Sequence, residues 1–375
     1  MKILFTGGGT AGHIFPIIAV AREIRRMGYE DKLFYIGPKD EFSSVLLSQE
    51  DIKVKIVLAG KIRRYWDIRC ILENILDVFI KIPLGFLQSF FFVFFNSPDL
   101  IFSKGGYGSF APVLSAWLLR IPVILHESDV VPGLANRFLA RFASQILVSF
   151  PVAQTEYFAA KDIISVGNPI RRELLKGDKE EAKKLFNLTG EKPILLILGG
   201  SQGAQKINDF VLESLINILP DFEIIHQTGE KNYESVRSEA KVVMNQEMGK
   251  YYHPVPFLGE IQLREAYNVA DLIVSRAGSG GIFEITACGK PSILIPFPYA
   301  AQDHQAKNAY ALADSGGTLV MEEGNLTPRF FLEKVKYLFS HPDELERMAQ
   351  NARAFSKPES AKEVAQYIIN SCKEK

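Results

Sequence analysis

A histidine follows the first glycine-rich turn of the chain at a position where it could act as a base. The turn reads GGGTAGH, in which Gly7, Gly9 and Gly12 satisfy GxGxxG and His13 comes next. Such a turn lets backbone amides approach a phosphate at the start of the following helix. The helix dipole disfavours imidazolium there, so a neutral, proton-accepting ring is expected at His13. A lone histidine in a turn more often has a structural hydrogen-bonding role, and both interpretations stay open.

Three further glycine-rich turns suggest ligands that carry a diphosphate. They read SKGGYGS at 103–109, GGSQGA at 199–204 and SRAGSGG at 275–281. One anion at a helix N-terminus gains only about 0.3 to 1 kcal/mol when exposed and ~2 when partly buried, so several turns must converge for useful affinity. A tight turn without a ligand remains the alternative for each turn taken alone.

The second predicted strand lacks the acidic residue that a nicotinamide-binding domain needs for the ribose diol. It ends in FYIG, with Ile36 and Gly37 followed by Pro38. This ending disfavours a dinucleotide oxidoreductase.

Short apolar runs that alternate with longer helical patterns predict parallel sheets covered by helices. Each half of the chain opens with a strand, a glycine-rich turn and a helix, as doubly wound domains do. The fold class is therefore α/β, with two doubly wound, Rossmann-like domains facing a cleft. The predicted strands are 2–5, 33–36, 100–102, 122–125 and 146–148, then 193–198, 222–226, 271–274 and 292–295.

A chain of 375 residues exceeds what one hydrophobic core usually serves, so two domains are expected. We predict an N-terminal domain at 1–166, a second domain at 167–341, and C-terminal helices at 342–375 that could pack back on the first domain. Because proline disfavours helix in the residue before it, these helices should break at Lys357 and Pro358.

The composition excludes several classes of protein. Lys and Arg together number 43, as do Asp and Glu, so no global field attracts nucleic acid and no such partner is expected. The three cysteines, Cys70, Cys288 and Cys372, lie far apart without zinc-ligand spacing, and no DxD pair is present, so neither metal nor cofactor is expected. The apolar strand beginning near Lys2 leaves no room for a signal peptide, which indicates a cytoplasmic protein.

The segment 71–95 is unusually rich in Phe, Ile and Leu and contains FFFVFF. A membrane-spanning helix needs about 20 mainly apolar residues, whereas charged residues, proline and glycine interrupt this run, so we expect it not to span. Part of it can be explained as ordinary core. Lys61, Arg63, Arg64 and Arg69 precede it, and this combination favours docking on an anionic bilayer, with about 1 kcal/mol for each basic residue.

Several segments in their order and spacing resemble the MurG family of N-acetylglucosaminyltransferases. They are GGGTAGHIFP, GGYGS, HESDVVPGLAN, VGNPIRREL, GGSQGA, PFLGEI, VSRAGSGGIFE and PFPYAAQDHQAKNA. The resemblance runs from the first strand to at least Gly317 and implies the two-domain GT-B fold. It also implies that the second domain binds a nucleotide sugar.

The resemblance implies a set of donor contacts. Ser201 would contact phosphate, Glu284 the ribose, Gln305 a sugar hydroxyl and the backbone of Leu258 the uracil, while Arg171 would hold phosphate or base. From the residues alone, a solvated surface charge is the favoured explanation for both Glu284 and Arg171. The implied substrate contacts of the second domain are Ser201, Leu258, Ser279, Gly280, Gly281, Ile282, Phe283, Glu284 and Gln305.

In the first domain, the resemblance implies substrate contacts from Thr10, Ala11 and Gly12, with His13 taking a proton. One departure concerns Asp129: relatives commonly read HEQN where this chain has HESD. A carboxylate beside a diphosphate is unfavourable unless it is paired or protonated. Asp129 could itself be the base, or the acceptor could be held differently, so the catalytic candidates are His13 and Asp129.

The activity implied by the resemblance is inverting transfer of N-acetylglucosamine from UDP-N-acetylglucosamine to the 4-hydroxyl of undecaprenyl-linked N-acetylmuramyl-pentapeptide, in peptidoglycan synthesis. The expected location is the cytoplasmic face of the membrane, with peripheral attachment to its anionic surface. A related glycolipid synthase and a non-catalytic nucleotide-binding module are the alternatives.

Overall fold

The computed structural model describes residues 1–8, 11–29, 32–61, 67–150, 157–158, 163–200 and 203–373. The chain divides into two compact units: Met1–Arg171 with Glu359–Lys375, and Arg172–Pro358. This division lies a few residues after the boundary expected at 166/167. It also separates the two helices of the segment 342–375, one into each unit.

The strands form two parallel sheets that are wound in both directions from a central strand. The order is β3-β2-β1-β4-β5-β6-β7 in the first unit and β10-β9-β8-β11-β12-β13 in the second. The predicted class of two doubly wound α/β domains is confirmed. The described strands are β1 (Lys2–Thr6), β2 (Lys32–Gly37), β3 (Lys53–Ile56), β4 (Leu100–Ser103), β5 (Val123–Glu127), β6 (Gln145–Val148), β7 (Ile163–Ser165), β8 (Ile194–Leu198), β9 (Glu223–Gln227), β10 (Tyr252–Val255), β11 (Leu272–Ser275), β12 (Ser292–Leu294) and β13 (Thr318–Val320).

The central strands are largely buried and mainly apolar because helices cover both faces of each sheet. In β8, every residue of ILLIL is buried. β1 pairs with β4, and β8 pairs with β11, in parallel. Parallel neighbours end at the same edge of a sheet, so the glycine-rich turns that follow these strands lie side by side.

Helices connect the strands, and their ends carry recognisable caps. The Asp178 carboxylate accepts hydrogen bonds from the backbone amides of Glu180 and Glu181 at the start of α7. The described helices are α1 (Ala11–Arg26), α2 (Glu41–Gln49), α3 (Ile68–Leu76), α4 (Ile82–Asn96), α5 (Phe110–Leu118), α6 (Leu134–Leu139), α7 (Lys179–Phe186), α8 (Gln205–Ile218), α9 (Tyr233–Val243), α10 (Glu260–Val269), α11 (Ser279–Ala287), α12 (His304–Ala313), α13 (Pro328–Ser340), α14 (Pro342–Phe355) and α15 (Ser360–Lys373).

The last helix completes the core of the first unit. Val364 and Ile368 of α15 are buried in the same apolar cluster as Ile14 and Ile17 of α1. The expected break at Lys357 and Pro358 lies between α14 and α15.

A long apolar helical segment, Cys70–Asn96, includes most of α3, a π-helical turn at Asp77–Lys81, and α4. By length and composition alone its 27 residues could cross a membrane, since an 18-residue window within it has a mean hydropathy of 1.9. One face is nevertheless packed on the first unit, because Gly85, Ser89 and Val93 are buried. A β-carbon on Gly85 would lie 1.8 Å from the carbonyl oxygen of Leu58.

Candidate active site

Two glycine-rich turns of the first unit interlock at the ends of β1 and β4. The amide of Gly8 donates to the carbonyl of Gly105 over 2.8 Å. A β-carbon on Gly106 would lie 3.0 Å from Cα of Gly8 and 3.5 Å from Nε2 of His13. The turns therefore require glycine, and they place backbone amides and an imidazole together at the carboxyl edge of the sheet.

His13 is a half-buried residue in the first turn of α1. Burial lowers its pKa to about 4, and the positive charge of Lys104 acts in the same direction, while the negative charge of Asp129 opposes both. The ring is therefore neutral near pH 7. Of the other residues expected in this turn, Ala11 begins α1, Gly12 is exposed, and Thr10 lies outside the described residues.

Lys104 is buried directly after β4, and the sequence analysis did not identify it. Its ammonium donates to Nδ1 of His126 and Oγ of Ser128, each over 2.7 Å, and to Oδ1 of Asn168 over 3.0 Å. Burial lowers the pKa of Lys104 to about 7, whereas the charges of Glu127 and Asp129 raise it.

The His126 ring links Lys104 to the chain at Gly167. Its Nε2 lies 3.0 Å from the carbonyl oxygen of Gly167, which can only accept, so Nε2 carries the proton and Nδ1 accepts from Lys104. Burial, followed by the charge of Lys104, lowers the pKa of His126 well below its usual value. His126 is therefore a neutral structural link.

Glu127 holds the turn that carries Asp129. One carboxylate oxygen of Glu127 accepts hydrogen bonds from the backbone amides of Ser128 and Asp129, over 2.7 and 2.9 Å. The other accepts the amide of Gly133 over 3.1 Å and Nδ2 of Asn136 over 2.8 Å. Burial and the neighbouring charge of Asp129 raise the pKa of Glu127 to about 7, and these donors oppose the shift. Asp129 is half-buried at the end of this arrangement.

Arg171 is buried in the first unit rather than exposed as a surface charge. Its guanidinium lies 4.0 Å from the centre of the Phe15 ring, on α1. This stacking fixes the side chain beside the helix that carries His13.

The second unit contains a cavity of about 540 Å³ at the carboxyl edge of its sheet. It is lined by Gly203 in the turn after β8, by Lys206 in the first turn of α8, by Arg276 and Gly281 after β11, and by Gln305. Gly203 has a φ of +75°, and a β-carbon there would lie 2.5 Å from the carbonyl oxygen of Thr228. Ser201 belongs to the same turn but lies outside the described residues.

Arg276 lines this cavity, and contacts with neighbouring residues hold its side chain in place. It donates to the carbonyl of Ile295 over 3.2 Å and forms an ion pair with Glu323. Its guanidinium lies 5.4 Å from the centre of the Phe297 ring. The amide of Phe297 in turn donates to Oε1 of Gln305 over 2.9 Å, which orients that side chain at the cavity.

The segment 279–284 forms the first turns of α11. Ser279, Gly280 and Gly281 lie at the helix N-terminus and are half-buried, whereas the Ile282 and Phe283 side chains are buried in the core. The amide of Ile282 already donates to Gly278 over 3.1 Å. The amides at 279–281 are therefore better placed for an anion than those of the next two residues.

Glu284 is half-buried on α11, and its carboxylate accepts a hydrogen bond from the hydroxyl of Tyr267 over 3.1 Å. Tyr267 is buried on α10, so the carboxylate is held by the core. Leu258 is also buried, and only its backbone could meet a ligand. Asn308 is buried on α12, where its amide donates to Ala277 over 3.3 Å.

Comparisons with known proteins match both parts of the chain to one family. Residues 194–364 match the model of the glycosyltransferase family 28 C-terminal domain, and residues 3–148 match that of its N-terminal domain. The crystal structure of Acinetobacter baumannii MurG covers 98% of this chain and 99% of its own, with a TM-score of 0.73 and 24% identity. That likeness shows the shared fold.

Curated relatives are more similar in sequence. The UDP-N-acetylglucosamine–N-acetylmuramyl-(pentapeptide) pyrophosphoryl-undecaprenol N-acetylglucosamine transferase of Clostridium botulinum (strain Hall) is 38% identical over 341 residues, 91% of each chain. The Thermodesulfovibrio yellowstonii protein of the same name is 34% identical over 369 residues, 97% of each chain. The chain therefore belongs to glycosyltransferase family 28 and, within it, to the family of these N-acetylglucosamine transferases.

Proposed function

We propose that this protein transfers N-acetylglucosamine from UDP-N-acetylglucosamine to the 4-hydroxyl of undecaprenyl-pyrophosphoryl-N-acetylmuramyl-pentapeptide, with inversion at the anomeric carbon. The observation that carries the proposal is the cavity of the second unit, where the turn after β8 and the start of α11 present backbone amides. The names of the relatives support both substrates.

The second unit binds the donor. Amides at 279–281 and the turn that contains Ser201 hold the diphosphate, and exposed Lys206 adds a positive charge at the cavity. Glu284 accepts hydrogen bonds from the ribose diol, because a carboxylate can accept two such donors. Gln305 contacts a sugar hydroxyl. These groups stabilise the charge that develops on the departing UDP.

The first unit binds the acceptor, and His13 removes the proton from its 4-hydroxyl. The neutral ring can accept a proton, but a pKa of about 4 makes it a weak base before the substrates bind. The negative charge of the acceptor diphosphate raises that pKa toward the range where general bases are effective. Asp129 acts in the same direction, which assigns it an electrostatic role beside His13.

The protein attaches to the cytoplasmic face of an anionic membrane, and the exposed side chains of the long apolar segment support this attachment. One helix face is packed on the first unit, while large apolar side chains are exposed on the rest, including Phe79 at 74% and Phe95 at 77%. Lys61 lies close by, and its amide donates to the buried Asp77 carboxylate over 3.0 Å. A packed face with an exposed apolar face fits surface docking better than spanning.

Thermal-shift titration tests the donor assignment. UDP-N-acetylglucosamine should raise the melting temperature, and NAD should not; stabilisation by NAD alone would refute a transferase. Glu284→Ala should weaken donor binding by roughly tenfold or more, because it removes charge-assisted hydrogen bonds. Glu213→Ala, an exposed position on α8, is the matched control. Normal donor binding by Glu284→Ala would show that the ribose lies elsewhere.

A further inference from the structure

The charge on Lys104 has no role in the transfer described above. The side chain is 1% exposed, and its nitrogen is held by the neutral groups of His126, Ser128 and Asn168. Three acceptors match the three protons of an ammonium group. A buried ammonium is costly unless opposite charge lies near it.

Two carboxylates supply that opposite charge, and they differ in their surroundings. Glu127 is buried, and both of its oxygens accept hydrogen bonds from the turn at 128–136. Asp129 is half-buried, and its charge acts on both Lys104 and His13. Asp129 therefore carries negative charge toward the place where an anionic acceptor is to bind.

We propose that Lys104 is a positioning residue of the acceptor site and works with Asp129 as a matched charge pair. Lys104 holds the turn that carries Asp129 through Ser128, and its positive charge compensates for that carboxylate beside the acceptor diphosphate. This inference rests on the proposed function, because it requires an anionic acceptor in the first unit.

The pair explains how this chain accepts a carboxylate at a substrate-facing position. The negative charge of Asp129 would repel a diphosphate, and the positive charge of Lys104, which is bonded to the neighbouring Ser128, offsets that repulsion. Removal of Lys104 leaves the repulsion by Asp129 in place, whereas removal of both charges takes away that repulsion together with its compensation. The effects of the two substitutions must therefore be strongly non-additive.

A double-mutant cycle tests the pair: Lys104→Met, Asp129→Asn and the double variant, each assayed for acceptor KM, donor KM and kcat. Lys104→Met should raise the acceptor KM roughly tenfold or more and leave the donor KM unchanged. Adding Asp129→Asn should recover most of that loss. An unchanged acceptor KM in Lys104→Met would refute the charge pair. The pair would also be refuted if the fold-change in acceptor KM of the double variant equalled the product of the two single fold-changes.

A second measurement keeps the test decisive if Lys104→Met does not fold. Lys104→Gln retains a polar side chain without the charge and should show the same acceptor-specific defect. Asp129→Asn leaves Lys104 in place and should lower the pH at which Lys104 titrates. NMR of the protein with lysine labelled with ¹³C at Cε measures that titration. An unchanged titration would contradict the pair.

The activity of the wild-type enzyme distinguishes a failure of the proposed function from a failure of the Lys104–Asp129 pair. If it moves no sugar to the lipid acceptor, the proposed function fails. If it transfers sugar normally and the cycle is additive, only the charge pair fails.

Discussion

Gly105 and Asn136 are packed so closely that only a glycine fits at position 105. A β-carbon on Gly105 would lie 1.8 Å from Oδ1 of Asn136, and the backbone φ of Gly105 is +82°. The Nδ2 atom of the same Asn136 side chain donates to Glu127. The turn after β4 and the turn after β5 are therefore fixed against each other by one asparagine.

Gly105→Ala should destabilise the protein by about 1 to 3 kcal/mol, since it adds both steric overlap and an unfavourable φ. Gly133→Ala is the matched control: its φ is −60°, and a β-carbon there would meet nothing within 4 Å. Chemical denaturation of both variants measures the difference. Equal stability would show that the turns can move apart without cost.

His13→Gln should lower kcat by roughly 10²- to 10⁴-fold, because the substitution removes the general base. Donor binding, measured by thermal shift, should remain normal since the donor site lies in the second unit. His341→Gln, at an exposed position in the second unit, should retain full activity. A kcat for His13→Gln within threefold of wild type would show that a group other than His13 acts as the base.

His13 should also make stability depend on pH. Its folded pKa of about 4 lies below the usual 6.5, so the unfolded state binds more protons between these values. Stability contributed by the neutral ring is thus complete above pH 6.5 and is lost as the pH falls toward 4. His13→Gln should reduce this slope by up to about 1.4 kcal/mol per pH unit. Denaturation at pH 7, 6 and 5 measures the slope, and an unchanged slope would contradict the lowered pKa of His13.

Phe79→Ser with Phe95→Ser should weaken binding to vesicles of anionic phospholipid by at least about tenfold, because each exposed phenyl ring loses its burial in the bilayer. Val242→Ser is the control, since this residue of the second unit is 87% exposed. Co-sedimentation measures the binding. Equal binding by both variants would mean that the apolar segment does not contact lipid.

The sequence predicted the interior of each sheet better than its edges. All four strands that the sequence analysis did not identify, β3, β7, β10 and β13, lie at sheet edges. Edge strands are covered less completely, so they tolerate polar residues and proline that obscure the apolar pattern. Lys53 and Lys55 in β3 and Pro254 in β10 are examples.

The positions of candidate site residues in the fold were predictable where a local motif sets them. The glycine-rich turns and His13 follow from local sequence, because a turn and the helix after it are adjacent in the chain. Lys104 does not follow in the same way. The quoted SKGGYGS contains it, but its partners, His126 on β5 and Asn168 after β7, are distant in the sequence. A lysine directly after a buried strand was the available signal.

The most direct test of the central claim follows radiolabel from UDP-N-acetylglucosamine into purified undecaprenyl-pyrophosphoryl-N-acetylmuramyl-pentapeptide, with UDP-glucose as the donor control. The account predicts labelled disaccharide lipid from the first donor and little from the second. UDP release without labelled lipid, or equal transfer from both donors, would contradict it.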